Sequence, residues 1–163
     1  MLRMSYEQQA QGQTPQMERE LPIIVEEFRR DLRLKVKADD YDTPFNLGIA
    51  FMEQGLLDAA IEEFSTAARD RKLAVDCFSL ISYCHKQKRS FDDAQDWLMR
   101  ALEMVRRGSE QYYALRYDLA EVLEDADNAE QATALLQEII AWNPRYRNIS
   151  SKVERFGKKT DDM

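Results

Sequence analysis

The sequence has few of the residues that reverse or interrupt a chain, with five glycines and four prolines among 163 residues. An all-β protein needs a turn residue at nearly every strand reversal, and collagen-like or Gly/Pro-rich disordered chains need far more of both residues. These three classes are therefore excluded. The hydrophobic fraction of 44% is high enough to build a core. The length suits one compact domain or one short array of repeats.

Cations are scarce relative to acids, with 23 Lys and Arg against 30 Asp and Glu and a net charge of −7. Phosphate binding needs a basic surface, so this balance disfavours a nucleic-acid partner. Apolar runs are only a few residues long, far short of a membrane span, so direct membrane insertion is not expected. Residues 1–16 are polar and rich in glutamine, without the apolar core of a signal peptide.

Cysteine is nearly absent as well. Cys77 and Cys84 lie seven residues apart in a predicted helix, which places them roughly 10 Å apart, beyond the reach of a disulfide. Free thiols suit a reducing compartment, so a cytoplasmic location is expected. A single domain excised from a longer protein would have the same composition.

Three similar units recur along the chain. From the first apolar anchor of each unit (Leu47, Ile81 or Leu119) to a later alanine the step is always 13 residues, and successive units are offset by 34 and 38 residues. Six positions match in all three: Leu47, Gly48, Phe51, Ala60, Phe64 and Ala67; Ile81, Ser82, His85, Ala94, Leu98 and Ala101; Leu119, Ala120, Leu123, Ala132, Leu136 and Ile139. Chance does not produce such a match, so the chain is predicted to be a repeat protein.

Each unit is predicted to hold two amphipathic helices packed antiparallel. The large anchors fill the space between the helices, and the small residues lie where two helices approach closely. Turn chemistry separates the helices: Gly55 in the first unit, a capping-box pattern at 90–93 in the second, and Asp127-Asn128 in the third. The 38-residue step predicts an added helical turn that ends near Arg107-Gly108-Ser109.

The 34-residue period and the pattern Leu47-Gly48-x-x-Phe51…Ala60-x-x-x-Phe64…Ala67 resemble the tetratricopeptide repeat (TPR) family. The likeness covers about 41–146. The second unit departs from the family pattern at Ser82, His85 and Arg89, and the third has Asp127 in place of the usual glycine before its second helix. The stretch 46–51 is most similar to bacterial TPR modules within larger proteins.

The resemblance implies an all-α, right-handed α-solenoid of three helix-turn-helix repeats. A stack of repeats leaves apolar faces at both ends, so a capping helix is expected on each side. At the start an apolar stripe predicts a helix over Pro22–Lys37, with Pro22 in its first turn; the alternative is a dimerising helix. At the end Ile149, Val153 and Phe156 predict a short helix that stops at Gly157.

The predicted organisation is as follows: 1–16 disordered, 17–40 N-terminal capping helix, 41–74 first repeat, 75–112 second repeat, 113–146 third repeat, 147–157 C-terminal capping helix, 158–163 disordered.

Nothing in the sequence indicates catalysis, a metal or a cofactor. Cys77, Cys84 and His85 supply at most three metal ligands on one helix, where neighbouring side chains point about 100° apart. The same geometry excludes a Cys/His catalytic pair. Paired acids such as Glu62 and Glu63 are typical of a solvated helix surface. No glycine-rich phosphate loop is present.

The resemblance implies that the first helix of each repeat presents its side chains to a ligand groove. Helical projection assigns to that groove Asp42, Phe45, Asn46, Ile49, Met52 and Glu53; Asp76, Ser79, Leu80, Tyr83, Lys86 and Gln87; Ala114, Tyr117, Asp118, Glu121, Glu124 and Asp125. Seven of these are acids and only Lys86 is basic, a stronger bias than in the whole chain.

The resemblance also raises the question of a chaperone-tail site, in which Lys, Arg and Asn hold a C-terminal carboxylate. The matching positions here are Phe45, Ile49, Leu80, Ala114 and Asp118, which cannot hold a carboxylate. The complementary hypothesis is a basic or amphipathic partner segment anchored on Phe45, Tyr83 and Tyr117 and steered by the acids. The alternative is that the acids are ordinary solvated surface.

The sequence therefore predicts a non-catalytic adaptor or scaffold that binds a protein segment. Cations near both chain ends also allow self-association, end to groove. The rival functions are an oligomerisation module that uses the N-terminal helix and, less favoured, an enzyme or small-ligand sensor.

Overall fold

The protein is described by a computed structural model that covers residues 15–161, with side chains for residues 15–155. The chain divides into two compact units on either side of the boundary between Asp40 and Tyr41. The described part of the first unit contains helix α1 (Pro15–Lys35). The predicted start at Pro22 is wrong, because Pro22 lies inside this helix. Residues 15 and 16 are therefore helical, while the disorder predicted for 1–14 lies outside the described residues.

The second unit is a succession of helices. They are α2 (Asp42–Glu53), α3 (Leu57–Ala67), α4 (Ala74–Gln87), α5 (Phe91–Met104), α6 (Glu110–Asp125), α7 (Ala129–Trp142), a 3₁₀ turn (Tyr146–Asn148) and α8 (Ile149–Asp161). Each helix packs mainly against its neighbours in sequence, and α4 also contacts α6. Short connections make neighbouring helices antiparallel. No strand occurs within residues 15–161, so the predicted all-α solenoid of helical hairpins is confirmed.

The small residues lie at close helix–helix approaches, as predicted. Ala60, Ala94 and Ala132 are completely buried. A Cβ atom on Gly48 would lie 2.5 Å from a ring carbon of Phe64, so only glycine fits there. In the second hairpin the Ser82 hydroxyl donates a 2.7 Å hydrogen bond to the Ala94 carbonyl, which joins α4 to α5.

The large anchors form the core of the second unit. One buried cluster joins the second and third hairpins to the last helix through Leu98, Leu119, Leu136, Ile139 and Ile149. Because Ile149 is fully buried in this cluster, the start of α8 covers the end of the stack.

The turns inside the three hairpins share one backbone conformation. Gly55, Arg89 and Asp127 all have a positive φ, near 60–75°. In each turn the amide that follows donates to a carbonyl of the preceding helix. Asn128 caps α7, with its side chain accepting from the Gln131 amide, but the predicted capping box at 90–93 does not form.

Several boundaries differ from the predictions. Helix α5 has 14 residues against 11 in α3 and ends at Met104, before the predicted Arg107-Gly108-Ser109. Helix α6 begins at Glu110, so the predicted limit of 112 for the second repeat falls inside it. Helix α8 continues through Gly157 to Asp161, so neither the predicted stop at Gly157 nor disorder over 158–161 is correct. The disorder predicted for 162–163 lies outside the described residues.

Candidate partner-binding groove

The first helices of the hairpins, α2, α4 and α6, form what we call the groove face of the second unit. A cavity of about 260 Å³ opens on it. Each of the three helices contributes to its wall: Met52; Ser79, Leu80, Ser82, Tyr83 and Lys86; Asp118, Glu121 and Val122. Leu98 of α5 also lines the cavity. The structure therefore brings together seven of the predicted groove residues, one from α2, four from α4 and two from α6.

The remaining predicted residues do not line this cavity. Asp42, Asn46, Glu53, Asp76 and Gln87 are exposed outside its lining, and Ile49, Ala114 and Glu124 are half-buried. Their predicted contact with a partner stays a prediction.

The three predicted apolar anchors have different surroundings. Tyr83 keeps 45% of its surface exposed at the cavity. Phe45 packs edge-on against Phe64, with ring centres 6.0 Å apart, and so belongs to the first hairpin. Tyr117 has Tyr146 at 5.9 Å and the Lys152 ammonium 4.5 Å from its ring centre. Of the three, Tyr83 is the most exposed side chain.

The acids on α6 face cations from elsewhere in the chain. Lys152 Nζ lies 2.9 Å from a carboxylate oxygen of Glu121 and 3.9 Å from one of Glu124. Arg147 lies 3.8 Å from Asp118, and Lys86 lies 3.7 Å from Glu121. Within the described side chains the groove thus has three cations for its seven acids, where the sequence count had one.

Burial raises the pKa of the Asp118 carboxyl above its ordinary value, and the nearby Arg147 guanidinium opposes this shift. The Ser79 hydroxyl donates a 3.4 Å hydrogen bond to the same carboxylate. Asp118 is therefore a polar group held by its surroundings at the cavity wall rather than a freely solvated acid.

Arg147 and Lys152 are functional candidates that the sequence pattern assigned only to a basic end. One signal was available for Lys152: it directly precedes Val153 in the apolar stripe that must pack on the third repeat. Packing that stripe carries the lysine onto α6. No sequence signal pointed to Arg147.

The cysteines and the histidine do not form a reactive site. Burial raises the pKa of the Cys77 thiol to about 12 and that of the Cys84 thiol to about 11, which keeps both thiols protonated and unreactive. His85 Nδ1 lies 4.0 Å from an Asp93 carboxylate oxygen. Among residues 15–155 no group of three His, Cys, Asp or Glu side chains is arranged to hold a metal ion.

None of the described helices has both the length and the apolar character needed to span a membrane.

Comparisons with known proteins support the fold. No protein-family model and no curated protein sequence matches the chain. Among solved structures, a crystal structure of MamA has a TM-score of 0.66 at 16% identity, covering 91% of this chain and 86% of that one. MamA from AMB-1 has a TM-score of 0.58 at 18% identity, covering 80% and 75%. MamA from MSR-1 has a TM-score of 0.59 at 17% identity, covering 80% and 74%. At this identity the likeness establishes a shared helical-repeat fold.

Proposed function

We propose that the protein is a non-catalytic adaptor or scaffold that binds a segment of another protein on its groove face. The observation that carries the proposal is the cavity shared by α2, α4 and α6, with Met52, Leu80 and the exposed Tyr83 ring in its lining. Recognition sites of this kind combine an apolar pocket with a few convergent polar groups. The fold shared with MamA is compatible with the proposal and identifies no partner.

The proposed partner is a protein segment with basic or amphipathic character, as the acids of the groove favour. A nucleic-acid partner is disfavoured by the net charge of −7. A cytoplasmic location forms part of the proposal, because Cys77 and Cys84 are free and buried. The proposed setting is bacterial, which rests on the resemblance of the repeat sequence alone.

A site-directed photo-crosslinking experiment tests the groove. A photoreactive amino acid replaces either Tyr83 at the cavity or Met99. Met99 is a comparably exposed apolar residue on α5, which is not one of the helices of the groove face. We expect a partner protein from host lysate to crosslink from position 83 and not from position 99. Equal crosslinking from both positions would contradict binding at the groove.

A specific observation supports the alternative of self-association through α1. Leu21, Ile24 and Phe28 recur at helical spacing, and each is at least 39% exposed. An exposed apolar stripe of this kind is typical of a surface that binds another protein chain. Analytical ultracentrifugation of the whole chain tests it: a concentration-dependent dimer that Ile24→Glu abolishes supports this role, and a monomer at all concentrations rejects it.

A further inference from the structure

The carboxylates on the groove face fall into two sets. Asp118, Glu121, Glu124 and Asp125 on α6 form the first set, which we call the α6 acids. Each lies within 4.0 Å of a cation of the same chain. The second set, Asp42, Glu53 and Asp76, is exposed on α2 and α4 and makes no ion pair within residues 15–155.

The cations that serve the α6 acids come mainly from one segment, residues 146–152, which we call the C-terminal arm. Lys152 is the more buried of its two cations that contact α6, with a side chain only 8% exposed. Its ammonium group contacts Glu121 at 2.9 Å and lies 3.5 Å from the Tyr117 hydroxyl. A charged group this deeply buried is stable only beside groups of opposite charge, so the Lys152 ammonium remains paired with the α6 acids in the folded protein.

Arg147 reaches Asp118 from an unusual backbone. Arg147 and Asn148 both have positive φ, at 43° and 55°. This conformation costs an arginine about 1–2 kcal/mol. It aims the guanidinium at Asp118 and places it 5.2 Å from the Tyr117 ring centre and 5.1 Å from that of Tyr146. The strained backbone therefore occurs at the place where it brings a positive charge next to α6.

We infer that Arg147 and Lys152 of the C-terminal arm offset the charge of the α6 acids, and that this determines where the cations of the partner segment bind. The partner places an apolar side chain in the cavity beside Tyr83 and its cations against the second set, Asp42, Glu53 and Asp76. On the α6 side of that anchor Lys86, Arg147 and Lys152 offset most of the charge of the four α6 acids, so cations of the partner are attracted less there than at the second set. This inference rests on the proposed function and adds the charge pattern of the partner.

Synthetic peptides serve as the probe. Each peptide has nine residues, with a central leucine and glycine or serine at the other positions. One peptide has three lysines before the leucine, a second has three lysines after it, and a third has no lysine. Binding is followed at low salt by NMR shifts of the Leu80 and Tyr83 amides. Because the direction of the bound chain is open, the expected result is that one of the two lysine peptides binds about tenfold more tightly than the other.

Variants of the arm connect this difference to its cause. Arg147→Gln and Lys152→Gln should each reduce the affinity ratio of the two lysine peptides toward one. Lys88→Gln, which removes an exposed lysine paired with Asp58 in a hairpin turn, should leave the ratio unchanged. Because Arg147 is 51% exposed, its variant tests the ratio even if loss of Lys152 loosens α8.

The outcomes separate the two proposals. If both lysine peptides shift Tyr83 with equal affinity, the partner has no fixed charge order and the inference is overturned, while groove binding stands. A wild-type ratio that survives in both arm variants overturns it as well. If no peptide shifts the Leu80 or Tyr83 amide, the apolar subsite fails, and with it both the inference and groove binding as proposed.

Discussion

Gly48 and Gly55 show how the same residue serves two different physical needs. Gly48 has an ordinary helical backbone but lies against the Phe64 ring, so it is required by space. A Cβ atom on Gly55 would meet no other atom within 4 Å, but this residue has a φ of 75°, so it is required by backbone conformation. The repeat pattern identified both positions, and the structure supplies the separate reasons.

Alanine substitution distinguishes these reasons. Gly48→Ala should lower the free energy of unfolding by about 1–3 kcal/mol, because the new methyl group overpacks the contact with Phe64. Gly55→Ala should lower it by about 1 kcal/mol, through backbone strain alone. Urea denaturation measures both. A smaller loss for Gly48→Ala than for Gly55→Ala would contradict the close packing of α2 on α3.

Asp118 gives a pH prediction. Its carboxyl pKa is raised in the folded state by burial, so over the range between its ordinary value near 3.8 and the raised value the folded chain binds more protons than the unfolded chain. The contribution of Asp118 to stability is therefore greatest at low pH and declines as pH rises through that range.

The Asp118→Asn variant lacks this titration. We expect the stability of the wild type relative to Asp118→Asn to fall as pH rises above the ordinary carboxyl pKa of 3.8, measured by urea denaturation at several pH values. A relative stability that rises with pH would show that Arg147, rather than burial, controls the carboxyl.

At the scale of elements, the hairpin turn is the most regular feature of the molecule. Gly55, Arg89 and Asp127 hold equivalent places between a first and a second helix, and all three are left-handed. In sequence, the second and third repeats lack the glycine that the family pattern has at this turn. The structure keeps the same turn, so two hairpins carry a conformational cost that the first does not.

Asp127→Gly should therefore stabilise the protein, by about 0.5–1 kcal/mol, because glycine adopts this backbone without strain. The measurement is the midpoint of thermal or urea unfolding. Glu130→Gly is the matched control: it lies in the first turn of α7, where glycine should be destabilising. The prediction fails if both changes lower stability alike.

Helix α8 links the end of the stack to the groove. Ile149 is fully buried, and three residues later Lys152 contacts the α6 acids. Ile149→Ala should cost about 2–4 kcal/mol, because it leaves a cavity in the core cluster. Urea unfolding followed by circular dichroism measures the loss, with the exposed Ser150→Ala as control. A cost under about 0.5 kcal/mol would mean that α8 does not close the core.

At the scale of the whole molecule, the sequence predicted the fold better than the site. Repeated anchors such as Ile81, Leu98 and Leu136 are all completely buried, because spacing within one hairpin alone places them on inward faces. The groove prediction placed Tyr83 and Met52 beside the cavity for the same reason. It treated Tyr117 as a free anchor because the residues that surround its ring are distant in the chain.

The sequence by itself determined what depends on local spacing: the helices, the hairpin period, the small residues at close approaches, and the first-helix faces that carry the acids. Only the tertiary structure decided which of those acids form ion pairs within the chain and which are left to interact with a partner. Lys152 meets Glu121 across 31 positions of the chain, and Arg147 meets Asp118 from a left-handed turn. Electrostatic interaction depends on distance in space, and packing of α8 sets that distance.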